Sequence, residues 1–420
     1  MKMTNQTNQA NQANLTKDAG IMKIAEEIRE KAAQGRYRVS DAVLRDHGRE
    51  YQFTDLVMEG GGTLGIALVG YIHALEQADV RFLGMGGSSV GAIVALLAYG
   101  CGDRMEAKGE KLADIIADMD LGGMVDGRWT ARRLSRLMGN KDARLRMPRI
   151  FLAALFSLCP IFSKLGLNPG DKLYTWISDR LKDNGIETLA DLRRLTDTLP
   201  PGLVHRETGE AITQYDASLK IVAADITTST KVIFPHMAPM YWASPDGINP
   251  ACFARASASI PIFFQPFVVE GVSELIKSGE NWKKLGSFTG ELPNTVSFAD
   301  GGLLSNFPID LFFTPGVPRA PTLGARLGGS RRTVKDAKTV GQYASHLFGA
   351  MRHYADYDFI LRNPLYRQLI AHIPTDNYNW LDFAMTPEDK LGLFREGMQA
   401  GQAFLEGFNW DEHKRLRRLS

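Results

Sequence analysis

"LVMEGGGTLGIAL", residues 56–68, is an apolar, strand-like run that breaks into glycines and resumes with the i, i+3, i+4 apolar spacing of a helix. Gly60, Gly62 and Gly65 spell G-x-G-x-x-G. Bare backbone amides at such a turn serve either the pyrophosphate of a dinucleotide or the oxyanion of an acyl-transfer intermediate. The next strand separates the two. A dinucleotide fold needs an acidic residue at the end of that strand for the ribose hydroxyls, whereas "VRFLGM" (80–85) runs into Gly86-Gly87-Ser88-Ser89-Val90-Gly91. This is G-x-S-x-G with Ser89 at its centre, a strand-to-helix turn that presents a serine hydroxyl at the carboxyl edge of a sheet. Gly87 and Gly91 leave room for the turn and for the helix "GAIVALLAYG" that follows. No Lys-Ser/Thr follows the first glycines, which excludes a P-loop.

Strand, glycine turn, helix, strand, glycine turn, helix is the order of a parallel α/β sheet. Both turns open on the same edge, so amides from Gly60, Gly61 and Gly62 face the serine of the second turn. They read as an oxyanion hole, with the Gly61 and Gly62 N–H groups each contributing roughly 2.7–4 kcal/mol to the transition state. Residues 1–50 read as a polar tail and a helix, and 51–311 as the catalytic α/β domain with a helical insertion over about 104–199. Strands return at "ASLKIVAADITT" (217–228), "TKVIFP" (230–235) and "NTVSFADGGLLSNFPID" (294–310). Residues 312–420 read as a C-terminal loop and helical subdomain.

The bulk properties narrow the class. A chain of 420 residues with 44% hydrophobic residues supports a large core, and a net charge of +2 gives no reason to expect nucleic acid. Cys101, Cys159 and Cys252 are too few and too scattered for a disulfide framework or a zinc site, and suit a reducing compartment. The polar N-terminus lacks the apolar core of a secretory signal. The longest apolar run, Ile150 to Phe162, is too short to span a bilayer. The expectation is a cytoplasmic protein, soluble or peripheral at a membrane.

A serine nucleophile needs a base. None of the eight histidines sits in a sharp turn after a late strand, though sequence leaves His205, His236, His346, His353 and His372 open as bases. Asp300 does sit in such a turn: "VSFADGGLLSNFP" is an apolar strand ending in one carboxylate, followed by two glycines that permit close backbone approach. Glu59 and Asp300 are too few carboxylates for a calcium site, so neither metal nor organic cofactor is expected.

Taken together, "EGGGTLG" (59–65), "GSSVGA" (87–92), "ARASASIPIFFQPF" (254–267) and "ADGGLLSNFPI" (299–309) make the chain resemble the patatin-like phospholipases, most closely their bacterial branch of cytoplasmic acylesterases. The resemblance runs from about Phe53 to Leu311, with a weaker likeness near the C-terminus. It implies a three-layer α/β/α sandwich with a mainly parallel central sheet. It further implies a Ser–Asp dyad without histidine, mapping onto Ser89 as nucleophile and Asp300 as general base, and hydrolysis of phospholipid acyl esters through an acyl-enzyme. Two residues depart from the family pattern: Leu64 stands where Lys or Arg is common, and Val90 where Ala or Gly is usual. An esterase or acyltransferase acting on smaller esters stays open, as does an inactive lipid-binding or regulatory module. "RLRMPRIFLAALFSLCPIFSK", Arg144 to Lys164, reads either as a buried helix of the insertion or as an interfacial segment whose cations meet anionic head groups.

Overall fold

The computed structural model describes residues 15–127, 165–276, 278–328, 336–337 and 339–419; the stretch 144–164 lies outside them. The strands, in chain order, are β1 (Ala42–Asp46), β2 (Arg49–Met58), β3 (Val80–Ser88), β4 (Gly166–Asn168), β5 (Val204–His205) and β6 (Leu219–Asp225). They continue with β7 (Thr230–Phe234), β8 (Ile262–Phe264), β9 (Phe267–Glu270), β10 (Thr295–Asp300), β11 (Thr322–Leu327) and β12 (Ile370–Ile373). The principal helices are α1 (Ala19–Ala33), α2 (Gly65–Gln77), α3 (Val90–Gly100), α4 (Gly109–Ala117), α5 (Asp171–Lys182), α6 (Leu189–Thr196) and α7 (Ala251–Ser257). Three more follow: α8 (Val340–Arg362), α9 (Pro387–Gly407) and α10 (Trp410–Leu419).

The central sheet runs β12-β11-β2-β3-β6-β10-β9. Its five strands from β12 to β6 are mutually parallel, and β10 and β9 are antiparallel additions. β1 and β7 pair antiparallel with β2 and β6 at their outer ends. This is the α/β, mainly parallel architecture expected from the alternation of strands and glycine turns. All nine residues of β3 are buried, as a central parallel strand covered on both faces demands.

Helix α2 returns the chain from β2 to β3, α3 leaves β3 and packs on β3 and β6, and α9 lies on α2. The α2–α9 contact is close because it is made by glycines: a Cβ on Gly397 would run into the Ala67 carbonyl, and one on Gly70 into the Phe394 carbonyl. The segment from Phe307 to Phe312 covers the other face. Gly84 and Gly86 of β3 stand against Phe312 and Leu311, and Gly324 of β11 against Phe307 and Ile309. Helix α8 packs on that segment.

Residues 312–420, expected as a C-terminal loop and helical subdomain, also contribute to the central sheet. β11 and β12 are parallel members of the central sheet, and α9 belongs to its helical layer. The physical reason is that β2 would otherwise expose its ladder on one side, and β11 pairs with that side from Asp55 to Met58. Among the described residues, no helix is long and apolar enough to cross a membrane.

Candidate active site

The second glycine turn is a tight strand-to-helix junction. β3 stops at Ser88, Ser89 takes φ 52° and ψ −122°, and α3 begins at Val90. Positive φ is strained for a residue with a side chain and persists only where the surroundings hold it. Here the Ser89 N–H donates to Ser257 Oγ at 2.8 Å, and Ser257 in turn donates to the Val222 carbonyl at 2.6 Å. The Ser89 carbonyl accepts from Ala92 and Ile93 in the first turn of α3. Gly87 and Gly91 let the turn lie against β2: a Cβ on Gly87 would sit 2.6 Å from the Met58 carbonyl oxygen, and one on Gly91 would strike the same group.

Asp300 reaches this edge by a route the local sequence does not announce. β10 runs antiparallel to β6, so its C-terminal end would point away from the ends of the parallel strands. β6, however, extends past β3: Ser88 aligns with Val222 and Asp300 with Ala223. The last residue of β10 therefore stops one register step from the serine turn, with β6 between them. The Asp300 N–H donates to the Ser259 carbonyl, and its Oδ1 accepts from the Gly302 N–H at 2.8 Å. Complete burial raises the pKa of this carboxyl above the ordinary aspartate value. Arg352, the Ser89 hydroxyl and the Gly302 N–H oppose that shift. The Ser89 hydroxyl is thus a neighbour that favours the carboxylate, yet Oδ2 makes no hydrogen bond of full geometry among the described residues. Such loose contacts are common in unliganded sites and tighten around substrate.

In the first glycine turn the three amides are not equivalent. The Gly60 N–H donates to the Asn306 carbonyl at 2.9 Å, so the expectation that Gly60 serves as an oxyanion donor does not hold; its amide is committed to the fold. Gly61 and Gly62 have no N–H partner among the described residues. Gly62 sits at φ 58°, and a Cβ there would collide with the Trp380 carbonyl, the same oxygen that accepts the Thr63 N–H. Glu59 anchors the turn from below, accepting from Leu327 N–H at 2.7 Å and Asn306 Nδ2 at 3.2 Å.

A cavity of about 60 Å³ opens beside Ser89, lined by Gly62, Val90, Ile93, Leu121, Phe264 and Phe383 among others and almost wholly apolar. Val90 bounds it and fills the space over Gly65, where a Cβ would strike Val90 Cγ2. No histidine whose side chain is described bonds to Ser89 or Asp300. His73 and His413 are buried far enough to bring their pKa values down to about 4. The one acidic cluster among the described residues with metal-like spacing, Asp41, Glu207 and Asp411, is filled by the Lys414 ammonium, which bonds to all three.

Sequence reasoning did not single out Asn306, Ser257, Trp380 or Arg352. Asn306 and Ser257 lie inside the blocks "ADGGLLSNFPI" and "ARASASIPIFFQPF", so position within a block was their signal. Trp380 opens the C-terminal stretch that carries the weaker family likeness, whereas Arg352 comes from a segment remote in sequence and carries no local signal.

A family model described as patatin-like phospholipase matches residues 56–313. The chain is 28% identical over 361 residues to "Uncharacterized protein YqhO" of Bacillus subtilis (strain 168), covering 85% of this chain and all of that protein. Among solved structures, VipD from Legionella pneumophila aligns over 90% of this chain and 71% of its own, at 16% identity and a TM-score of 0.40. Full-length ExoU from Pseudomonas aeruginosa, solved with SpcU, aligns over 88% of this chain and 53% of its own, at 16% identity and a TM-score of 0.37.

Proposed function

Because this chain belongs to the patatin-like phospholipase family, we propose that it is a serine acyl hydrolase that cleaves acyl esters of phospholipids through an acyl-enzyme, with Ser89 as nucleophile and Asp300 as general base. The observation that supports this reading best is the meeting of four features at one sheet edge. Ser89 is held at a strained φ, a buried carboxyl oxygen of Asp300 is left without a full hydrogen bond, Gly61 and Gly62 offer N–H groups, and an apolar cavity adjoins them.

In the proposed reaction Ser89 Oγ attacks the ester carbonyl carbon while its proton passes to Asp300. The carbonyl oxygen becomes an oxyanion between the Gly61 and Gly62 N–H groups. The tetrahedral species collapses, the C–O bond to the lysolipid breaks, and the leaving alkoxide takes the proton from Asp300. Water, deprotonated by Asp300, then cleaves the acyl-enzyme and regenerates Ser89. Burial raises the basicity of Asp300, which makes a carboxylate a more competent partner for a hydroxyl. Neither metal nor organic cofactor is needed for any step. The protein would act from the cytoplasm as a peripheral enzyme at its lipid surface.

A second reading, an esterase on smaller esters, has a specific observation behind it. A cavity of about 60 Å³ holds roughly four to six water-sized groups, enough for a short acyl chain. One experiment addresses both. Purified protein is treated with a fluorophosphonate probe, and hydrolysis is measured on phospholipid, lysophospholipid and esters of graded chain length. Labelling and hydrolysis are expected in the wild type and absent in Ser89→Ala. Labelling that survives the substitution overturns the nucleophile assignment. Activity confined to the shortest esters selects the second reading.

A further inference from the structure

The glycine turn brings no charged side chain of its own at Leu64, which is buried in the apolar core. A positive charge nevertheless reaches the dyad, from a helix far away in sequence. Helix α8 turns Arg352 and Asp356, four residues apart and so on one face, toward the segment that follows Asp300. Asp356 clamps the helix in place: its carboxylate accepts from Ser305 Oγ and, at 2.7 Å, from the Phe307 N–H. One turn earlier, an Arg352 Nη donates to Asn306 Oδ1, and the guanidinium lies 5.7 Å from the Trp380 ring centre.

Gly302 makes the approach possible. A Cβ there would stand 2.8 Å from Asp300 Oδ1 and 3.1 Å from the same Arg352 Nη, so guanidinium and carboxyl are at most about 6 Å apart across a position that only glycine leaves open. Asn306 extends the link. While its Oδ1 accepts from Arg352, its Nδ2 donates to Glu59 Oε1 at 3.2 Å and to the Gly60 carbonyl at 3.1 Å. The guanidinium thus fixes which way the Asn306 amide points, and through it the turn that carries the Gly61 and Gly62 amides.

We propose that Arg352 is a positioning residue of the dyad: it keeps the Asp300 carboxylate ionised and, through Asn306, ties the base's loop to the oxyanion turn. The proposal deepens the hydrolase reading and rests on it for its catalytic consequence. Of the other ionisable groups around this segment, burial raises Glu59 to about 7 and Asp356 above the ordinary aspartate value, and the Arg326 guanidinium on β11 is drawn to Glu59 at 3.6 Å. Asp300 itself is fully buried, with only the Ser89 hydroxyl and the Gly302 N–H as further support for its charge.

The test titrates Asp300 directly in the full-length protein by carbon NMR with carboxyl-labelled aspartate, its signal identified by loss in Asp300→Asn. In parallel, kcat/KM on a short soluble ester is followed against pH. Arg352→Gln is expected to raise the Asp300 midpoint, and the acid limb of kcat/KM with it, by about one pH unit or more. Arg352→Lys, which keeps the charge, is expected to recover most of that shift. Arg352→Met replaces the glutamine variant if the latter does not fold. An unmoved midpoint in the neutral variants, or a lysine variant as shifted as they are, overturns the proposal. A shifted midpoint in a protein that shows no Ser89-dependent hydrolysis supports the electrostatic inference and instead refutes the hydrolase reading.

Discussion

At the scale of single residues, the site combines strain with an unfavourable burial. Ser89 is held at positive φ by three backbone hydrogen bonds, and Asp300 carries its carboxyl into a fully buried place. The second arrangement has a sign. Burial raises the folded pKa of Asp300 above the unfolded value, so the folded state holds the proton more tightly. Stability is therefore lost as pH rises from the unfolded value through the folded one. Asp300→Asn mimics the protonated carboxyl at every pH. It is expected to lower hydrolysis about 10²–10⁴-fold, the usual worth of a general base, and at the same time to raise the melting temperature at pH 7. The gain should vanish below about pH 4, where Asp300 is protonated in the folded and the unfolded state alike. Calorimetry at the two pH values checks this. A variant less stable than the wild type at pH 7 would show that the carboxylate is net stabilising.

At the scale of elements, the departure at Val90 has a structural counterpart. Gly65 opens α2 and Val90 opens α3; the valine occupies the place a Gly65 Cβ would need, with Val94 Cγ2 3.6 Å from it. The two positions form a lock between the helices that leave the two glycine turns. Gly65→Ala alone is expected to destabilise the protein by about 1–3 kcal/mol through overpacking. Adding Val90→Ala should recover much of that loss, giving a favourable coupling in a double-mutant cycle. Denaturant unfolding of the four proteins measures it, and strictly additive losses would show that the helices do not communicate through this contact. The double variant also widens the cavity beside Ser89, so the preferred ester should shift toward longer chains.

At the scale of the whole molecule, buried ionisable groups set where the fold is most stable. Burial raises Asp55 and Glu59 to about 7, although Asp55 accepts from Tyr215 at 2.6 Å and from the Gly84 N–H at 2.9 Å. Carboxyls raised in the folded state withdraw stability as pH climbs through about 7. His73 and His413 act in the opposite sense. Burial lowers both to about 4, so stability falls as pH drops from about 6.5 toward that value. Lys108, lowered to about 8 by burial, matters only above that pH. Between about pH 4 and 6.5 the two pairs therefore oppose each other, each group contributing at most about 1.4 kcal/mol per pH unit, and the carboxyl loss is complete a little above pH 7. Glu59→Gln, which removes one of the two carboxyl losses, should stabilise the protein more at pH 7 than at pH 4. A gain no larger at pH 7 than at pH 4 would contradict the assignment.

Local geometry that fits into a short window was legible in the sequence. A serine centred in G-x-S-x-G between a strand and a helix, three glycines after the preceding strand, and a carboxylate ending a third strand each impose their geometry on a few neighbouring residues, so their types and order suffice to name them. The parallel core followed from the same alternation. What depends on who stands beside whom was not legible. The Gly60 amide is spent on Asn306, 246 residues away, Asp300 arrives from an antiparallel strand because β6 outruns β3, and the chain beyond Leu311 supplies two strands of the sheet. Arg352 acquires its place only when α8 is clamped over the Asp300 loop. Backbone propensity and turn chemistry act over a few residues and can be read locally. Register, the pairing of amides and the distance between two buried charges are settled by packing across the whole chain, so only the tertiary structure decided them.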